Sequence, residues 1–102
     1  MAENLEDWWM RTAKGDIEKM LPKVAEYTAS DLVLMGQFLA EWTGLDPKAG
    51  PEAACCFYLL GKVARSVAAY KEGRLPSDDT LHDIVIYGTM MRRIRECGGW
   101  PA

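Results

Sequence analysis

Residues 51–98 read PEAACCFYLLGKVARSVAAYKEGRLPSDDTLHDIVIYGTMMRRIRECG, and this stretch decides the fold. Pro51 suits the first turn of a helix, and Gly73 suits the position just after the end of one. Ser77 is a good N-cap for a second helix that runs as far as Gly98. We therefore predict an all-α protein, a compact helical bundle built around a long C-terminal antiparallel helical hairpin with helices at about 51–72 and 78–96.

The first helix of this hairpin has a wide apolar surface, so we expect it to be buried between neighbours at the centre of the fold. Its apolar residues form two adjacent stripes: Ala54, Phe57, Gly61, Ala64 and Ala68 in one, and Cys56, Leu60, Val63, Val67 and Tyr70 in the other. The predicted inward face of the second helix is Leu81, Ile84, Val85, Gly88, Met91 and Ile94. If facing positions sum to about 152, the two helices approach closely at their glycines.

The N-terminal half predicts further helices. One begins behind the N-cap Asn4 and ends at Gly15, and another runs from the N-cap Ser30 to Gly44. Pro22 makes a continuous helix through residues 16–27 improbable, because proline removes one backbone donor and clashes with the preceding turn. Without any long period-two pattern to suggest a strand, we expect a single all-α domain over residues 1–102.

Composition narrows the classes of function. The chain has 102 residues, a net charge of −3 and a pI near 5.1, which argues against DNA as a partner. Its longest apolar runs fall well short of the ~20 residues that a membrane span needs, and its acidic N-terminus does not resemble a signal peptide. Three cysteines, without zinc-site spacing, favour thiols that serve as small core residues in a reducing cytosol. We therefore expect a soluble cytoplasmic protein that does not bind membranes.

Charged residues on the hairpin form the first candidate site. Lys62 and Arg65 lie on its first helix, and Asp79 and Asp83 lie one turn apart on the second. We predict an ion pair between Arg65 and Asp83 that sets the register of the helices, with no metal or other cofactor. The alternative is that Asp79 and Asp83 hold Mg²⁺ together with a substrate phosphate, since carboxylate oxygens suit that ion.

The histidine, the arginines near the C-terminus and the tryptophans have simpler structural interpretations. His82 is the one histidine of the chain, and we expect it to be a solvated helix residue. The arginines near the C-terminus are expected to offset the negative end of their helix. The two tryptophans near the N-terminus must dock on the core or on another chain, because a short isolated helix is marginal in water. The interface candidates are Trp8, Trp9, Trp42 and Trp100.

The run LGKVARSVAAYKEGRLPSDDTLHDIVIYGTMMRRIRECGGWP, with the N-terminal EDWW and residues 27–36, resembles small helical proteins encoded by phages of actinobacteria. More remotely, GKVAR followed by a polar turn and DxxxDIxxY is similar to a phage domain associated with nucleotide modification, itself similar to the all-α MazG-type nucleotide pyrophosphatases. This resemblance implies an oligomeric helical bundle. It places Lys62, Arg65, Asp79, Asp83 and Tyr87 in the region of the ancestral ligand site.

The chain departs from the MazG-type pattern, which has ExxE on one helix and ExxD on the next. Tyr58, Lys62 and Arg65 stand where acids would be needed. We therefore expect a small phage accessory protein of the host cell cytosol that acts by binding and not by catalysis. Its expected partners are a second copy of itself, as a homodimer, and a host or phage protein. The alternative function is a nucleotide-binding or Mg-dependent pyrophosphohydrolase-like protein.

Overall fold

The computed structural model describes residues 2–23 and 29–99, and within these ranges the regular structure is entirely helical. The prediction of an all-α fold is thus confirmed. The helices are α1 (Leu5–Met20), α2 (Ala29–Thr43), α3 (Gly50–Lys71) and α4 (Asp78–Cys97). Short 3₁₀ turns follow α1 at Leu21–Lys23 and precede α3 at Pro47–Ala49.

Local capping chemistry fixes most helix ends where the sequence predicted them. The side chain of Asn4 accepts a hydrogen bond of 2.8 Å from the backbone N–H three residues on, and Ser77 does the same at 3.1 Å. Gly44 and Gly98 follow the ends of α2 and α4 with φ of +74° and +79°, a conformation that costs glycine little. These ends are decided by residues within one turn of the helix terminus.

The first helix does not end at Gly15, so that prediction is wrong. It continues to Met20 and stops immediately before Leu21 and Pro22. A glycine inside a helix costs only about 1 kcal/mol relative to alanine, whereas proline both clashes and lacks a donor. The extra turn carries Met20 into the core, where it is 7% exposed, and that burial offsets the glycine.

The core is formed by residues of all four helices, with α3 packed against both α2 and α4. Its buried residues are Met20, Leu32, Ala54, Cys55, Met90 and Ile94. Cys55 alone among the cysteines is a core residue, because Cys56 and Cys97 are exposed, which corrects the prediction for those two thiols. Burial raises the pKa of the Cys55 thiol to about 11, since the thiolate would lose its hydration.

Helices α2 and α3 cross at two glycines. A Cβ added to Gly36 would overlap the carbonyl carbon of Gly50, and one added to Gly50 would lie 2.8 Å from the carbonyl oxygen of Gly36. The close approach predicted at Gly61 and Gly88 does not exist, because a Cβ on either would meet nothing within 4 Å. The tight contact of the fold is therefore between α2 and α3.

Helices α3 and α4 run in opposite directions but in a different register from the one predicted. Tyr58 stacks on Tyr87, and Lys62 pairs with Asp83, so the two residue numbers sum to 145 in each pair. The predicted sum of 152 is wrong because residues 72–77 lead the chain back along α3 before α4 begins. The last turn of α3 consequently extends beyond α4.

The inward face of α4 is also rotated from the prediction. His82 and Met90 are buried, at 7% and 2% exposure, whereas Leu81 and Val85 are about half exposed. Ile94 is buried as predicted. The prediction placed the polar residues of α4 on its solvent side. It therefore missed His82, whose partner lies on another helix.

Candidate functional site

The polar cluster between α3 and α4 consists of an ion pair and a tyrosine stack. Nζ of Lys62 lies 2.9 Å from Oδ2 of Asp83, with side chains 19% and 30% exposed. One helical turn away, the rings of Tyr58 and Tyr87 are 5.8 Å apart between centroids and nearly parallel. The structure thus brings together three of the five predicted ligand-site residues: Lys62, Asp83 and Tyr87.

The predicted partner of Asp83, Arg65, is replaced by Lys62. The observed register places residue 62 opposite residue 83, so Arg65 falls almost one turn too far along α3. Arg65 is exposed and forms no ion pair with the residues described. The idea of a cross-helix ion pair was therefore sound, but the cation was wrong.

The second predicted acid, Asp79, faces a different helix. Its carboxylate is hydrogen bonded to Nζ of Lys19 on α1. That hydrogen bond and the lysine charge hold the pKa of Asp79 below its usual value. Asp79 and Asp83 thus each have their own ammonium partner, from two different helices. In the described part of the chain, no group of three or more His, Cys, Asp or Glu side chains is arranged to hold a metal ion.

A buried histidine links α1 to α4, which corrects the prediction that His82 is solvated. Its Nδ1 lies 2.6 Å from Oδ1 of Asp16, and the two side chains are 6% and 21% exposed. The carboxylate accepts a hydrogen bond from the ring, so a buried polar group is satisfied. Nothing local in the sequence signals this pair, because Asp16 and His82 are 66 residues apart.

The N-terminal half of α1 projects from the core. Trp8 and Trp9 are 45% and 63% exposed, so docking of these tryptophans on their own core is wrong. Their helix is attached through its C-terminal half, by Asp16, Lys19 and Met20. The aromatic surface of α1 is therefore open to a partner.

An extensive open surface lies on α3 among the described residues and is called the α3 face. It consists of residues that are all exposed: Phe57, Leu60, Gly61, Val63, Ala64, Val67, Ala68 and Tyr70. Exposure reaches 65% at Leu60 and 59% at Tyr70. We predicted that most of α3 is buried between neighbours, and this is wrong for the single chain, since α2 and α4 cover only the opposite side. Cys56 lies at the edge of this face.

A smaller apolar stripe lies on α2. Phe38 stacks on Trp42 with ring centroids 5.5 Å apart, and Trp42 is 72% exposed. Leu34 extends the stripe by one turn. The fourth predicted interface tryptophan, Trp100, lies outside the described residues.

The overall dimensions agree with these open surfaces. The accessible surface is 7565 Å², whereas a compact monomer of 11.4 kDa exposes about 5,800 Å². The radius of gyration is 15.7 Å, whereas about 13 Å is usual for a domain of 102 residues. The excess area is of the size that one subunit buries in a large dimer interface.

Comparison with models of known protein families, with curated proteins and with solved structures finds no match to this chain. The fold and the surfaces described above therefore carry the functional argument. Among the described helices, none combines the length and the apolar character that crossing a membrane requires.

Proposed function

We propose that this protein acts by binding proteins and that its first partner is a second copy of itself, held through the α3 face. The observation that carries the proposal is the exposure of this face along the longest helix of the fold. The residues of the face are uncharged: Lys62 pairs with Asp83 on α4, and the exposed Arg65 lies at the border of the face, one turn from Gly61. Such a surface is typical of the centre of a homodimer interface.

The α3 face is large enough to form a specific interface. Five large side chains that are about half exposed, together with three small residues, present on the order of 500 Å² of apolar surface per chain. Two copies would together bury on the order of 1,000 Å², which is about the smallest total area expected of a specific protein–protein interface. Removal of this apolar surface from water would favour association.

The small residues at the middle of the face provide independent support. In the single chain, no described atom lies within 4 Å of a Cβ added at Gly61. Glycine at this position nevertheless costs about 1 kcal/mol of helix stability relative to alanine. A second helix packed against Gly61, Ala64 and Ala68 would explain that cost, because small side chains let two backbones approach closely. The pattern thus fits helix-to-helix contact between two copies.

We further propose that the protein acts in the cytosol of a host cell infected by a phage. The resemblance to small phage proteins supports an accessory role in the cytosol of an infected host. The exposed tryptophans of α1 and α2 would then be available to a host or phage protein after dimerisation. We propose a role in binding, without catalysis.

Light scattering coupled to gel filtration tests the dimer. Wild-type protein is expected at twice the chain mass of 11.4 kDa. The double variant Leu60→Glu/Val67→Glu is expected at the mass of one chain with an unchanged helical circular dichroism spectrum, because charges on the face oppose its burial.

The matched control is Leu75→Glu, at a residue 80% exposed in the loop after α3. It should leave the dimer intact. A wild-type protein that is monomeric at millimolar concentration, or a double variant as dimeric as the control, would show that the α3 face is not the interface.

A further inference from the structure

A cleft between α1 and α4 offers a second site, independent of the α3 face. It has a volume of about 380 Å³ and is walled mostly by apolar atoms. Its lining residues are Trp8, Trp9, Thr12, Ala13, Asp16 and Val85. The volume lies within the range of sites that take small ligands or a single large side chain.

The two indole rings are arranged at right angles. Their planes differ by 85°, and their centroids are 6.3 Å apart. Both tryptophans line the cleft, and both are partly exposed. Perpendicular indoles offer a guest both a ring face and a ring edge, and the faces attract cations through the electron density of the ring.

A carboxylate completes the cleft. Asp16 uses one oxygen, Oδ1, to accept the hydrogen bond from His82. An ionised carboxylate has about four acceptor positions, so further positions are available to a guest. The Asp16 side chain is 21% exposed, and a charge in a partly dehydrated site interacts more strongly with an opposite charge than it does in water.

We propose that this cleft receives an arginine side chain of a partner protein. A guanidinium group can stack flat on an indole while its N–H groups donate to a carboxylate, so it satisfies both features of the cleft together. A lysine ammonium can pair with Asp16 but cannot stack in the same way. Neutral apolar guests would leave the carboxylate without a new donor.

The test uses full-length protein and the indole N–H signals of its tryptophans in NMR spectra. The probe is N-acetyl-arginine amide, and its matched control is N-acetyl-citrulline amide, which has nearly the same shape without the charge. We expect saturable shifts of the Trp8 and Trp9 signals with arginine. Citrulline should bind at least tenfold more weakly, and N-acetyl-lysine amide should fall between the two.

Two variants locate the site. Asp16→Asn keeps an oxygen for His82 but removes the charge, so arginine affinity should fall about tenfold. Trp9→Leu removes one indole and should also weaken arginine binding. It provides a second test in case Asp16→Asn does not fold. Trp42→Leu, at an exposed tryptophan that does not line this cleft, should leave the titration unchanged.

Three outcomes would overturn the inference. These are the absence of a saturable shift, equal affinity for arginine and citrulline, or equal shifts at Trp42. None of the variants touches the α3 face, so the oligomeric state measured in the same samples reports separately on the proposed dimer.

Discussion

At the scale of single residues, glycines and charges have roles that depend on what faces them. Gly36 and Gly50 permit a close helix crossing, whereas Gly88 has free space around it although it lies in a similar helical context. Lys62 and Arg65 are both cations on α3, but only Lys62 reaches Asp83. Residue type alone therefore does not show which glycine or which cation contacts another helix.

Replacing Gly36 by alanine should destabilise the protein strongly. The new Cβ would overlap backbone atoms of Gly50, which cannot move aside as the end of a flexible side chain can. We expect a loss of about 1–3 kcal/mol in the free energy of unfolding, measured by urea denaturation. The control Gly88→Ala should instead gain up to about 1 kcal/mol, because alanine favours the helix and nothing lies within 4 Å. Equal losses in the two variants would contradict the close crossing.

The pairing of Asp83 can be measured with double-mutant cycles. Lys62→Ala and Asp83→Ala should show a coupling energy of about 0.5–1 kcal/mol, since their side chains are partly buried and lie 2.9 Å apart. Arg65→Ala combined with Asp83→Ala should be additive. If the coupling appeared with Arg65 and not with Lys62, the register described for α3 and α4 would be incorrect.

At the scale of elements, α1 differs from the other helices. It is joined to α4 by polar contacts on its C-terminal half, while its tryptophan-bearing half stands clear. Polar and ionic contacts lose strength when their charges change, whereas burial of apolar area does not. The contact of α1 with Asp79 through Lys19 should therefore respond to pH, whereas the burial of Met20 in the core should not.

The contact between Lys19 and Asp79 predicts the direction of that response. The pKa of Asp79 is depressed in the folded state, so its contribution to stability is present above the usual value near 3.8 and is lost as pH falls through the lower folded value. Carboxyl NMR titration should show the pKa of Asp79 rising towards its usual value in Lys19→Met. An unchanged titration of Asp79 in that variant would mean that α1 is not held there in solution.

At the scale of the whole molecule, many large apolar side chains of the single chain remain in contact with water. Its small core is formed by residues of four helices, yet the α3 face and the tryptophans of α1 and α2 remain open. A second copy on the α3 face would convert the longest helix from a half-covered element into the centre of an assembly. Burial of apolar area would supply the free energy for that proposed assembly.

The cysteines provide a chemical test of the assembled state. Cys55 should resist thiol reagents at pH 8 in every form, because burial raises its pKa to about 11 and leaves roughly one thiolate in a thousand. If the α3 face forms the proposed dimer, Cys56, at the edge of this face, should react slowly in the wild-type protein and faster in Leu60→Glu/Val67→Glu. Cys97 is exposed away from this face and should react equally in both. Equal rates for Cys56 in the two proteins would argue against burial of this edge.

Much of the fold could be predicted from local patterns. Asn4, Ser77, Gly44 and Gly98 fixed helix ends because each acts on backbone groups within one turn. Part of the candidate site could be predicted as well, since opposite charges on two neighbouring helices indicated an ion pair. The choice of Lys62 over Arg65 could not be, because one turn of register decides it.

The amino-acid sequence by itself determined that the chain is all-α and where most of its helices begin and end, since propensity, capping and periodicity are local properties. Only the tertiary structure decided which faces are covered. The crossing at Gly36 and Gly50, the burial of His82 against Asp16, and the exposure of the α3 face depend on how helices distant in the chain are placed. The same apolar stripe on a helix suits a core or an interface, because the hydrophobic effect rewards burial without specifying the neighbour that provides it.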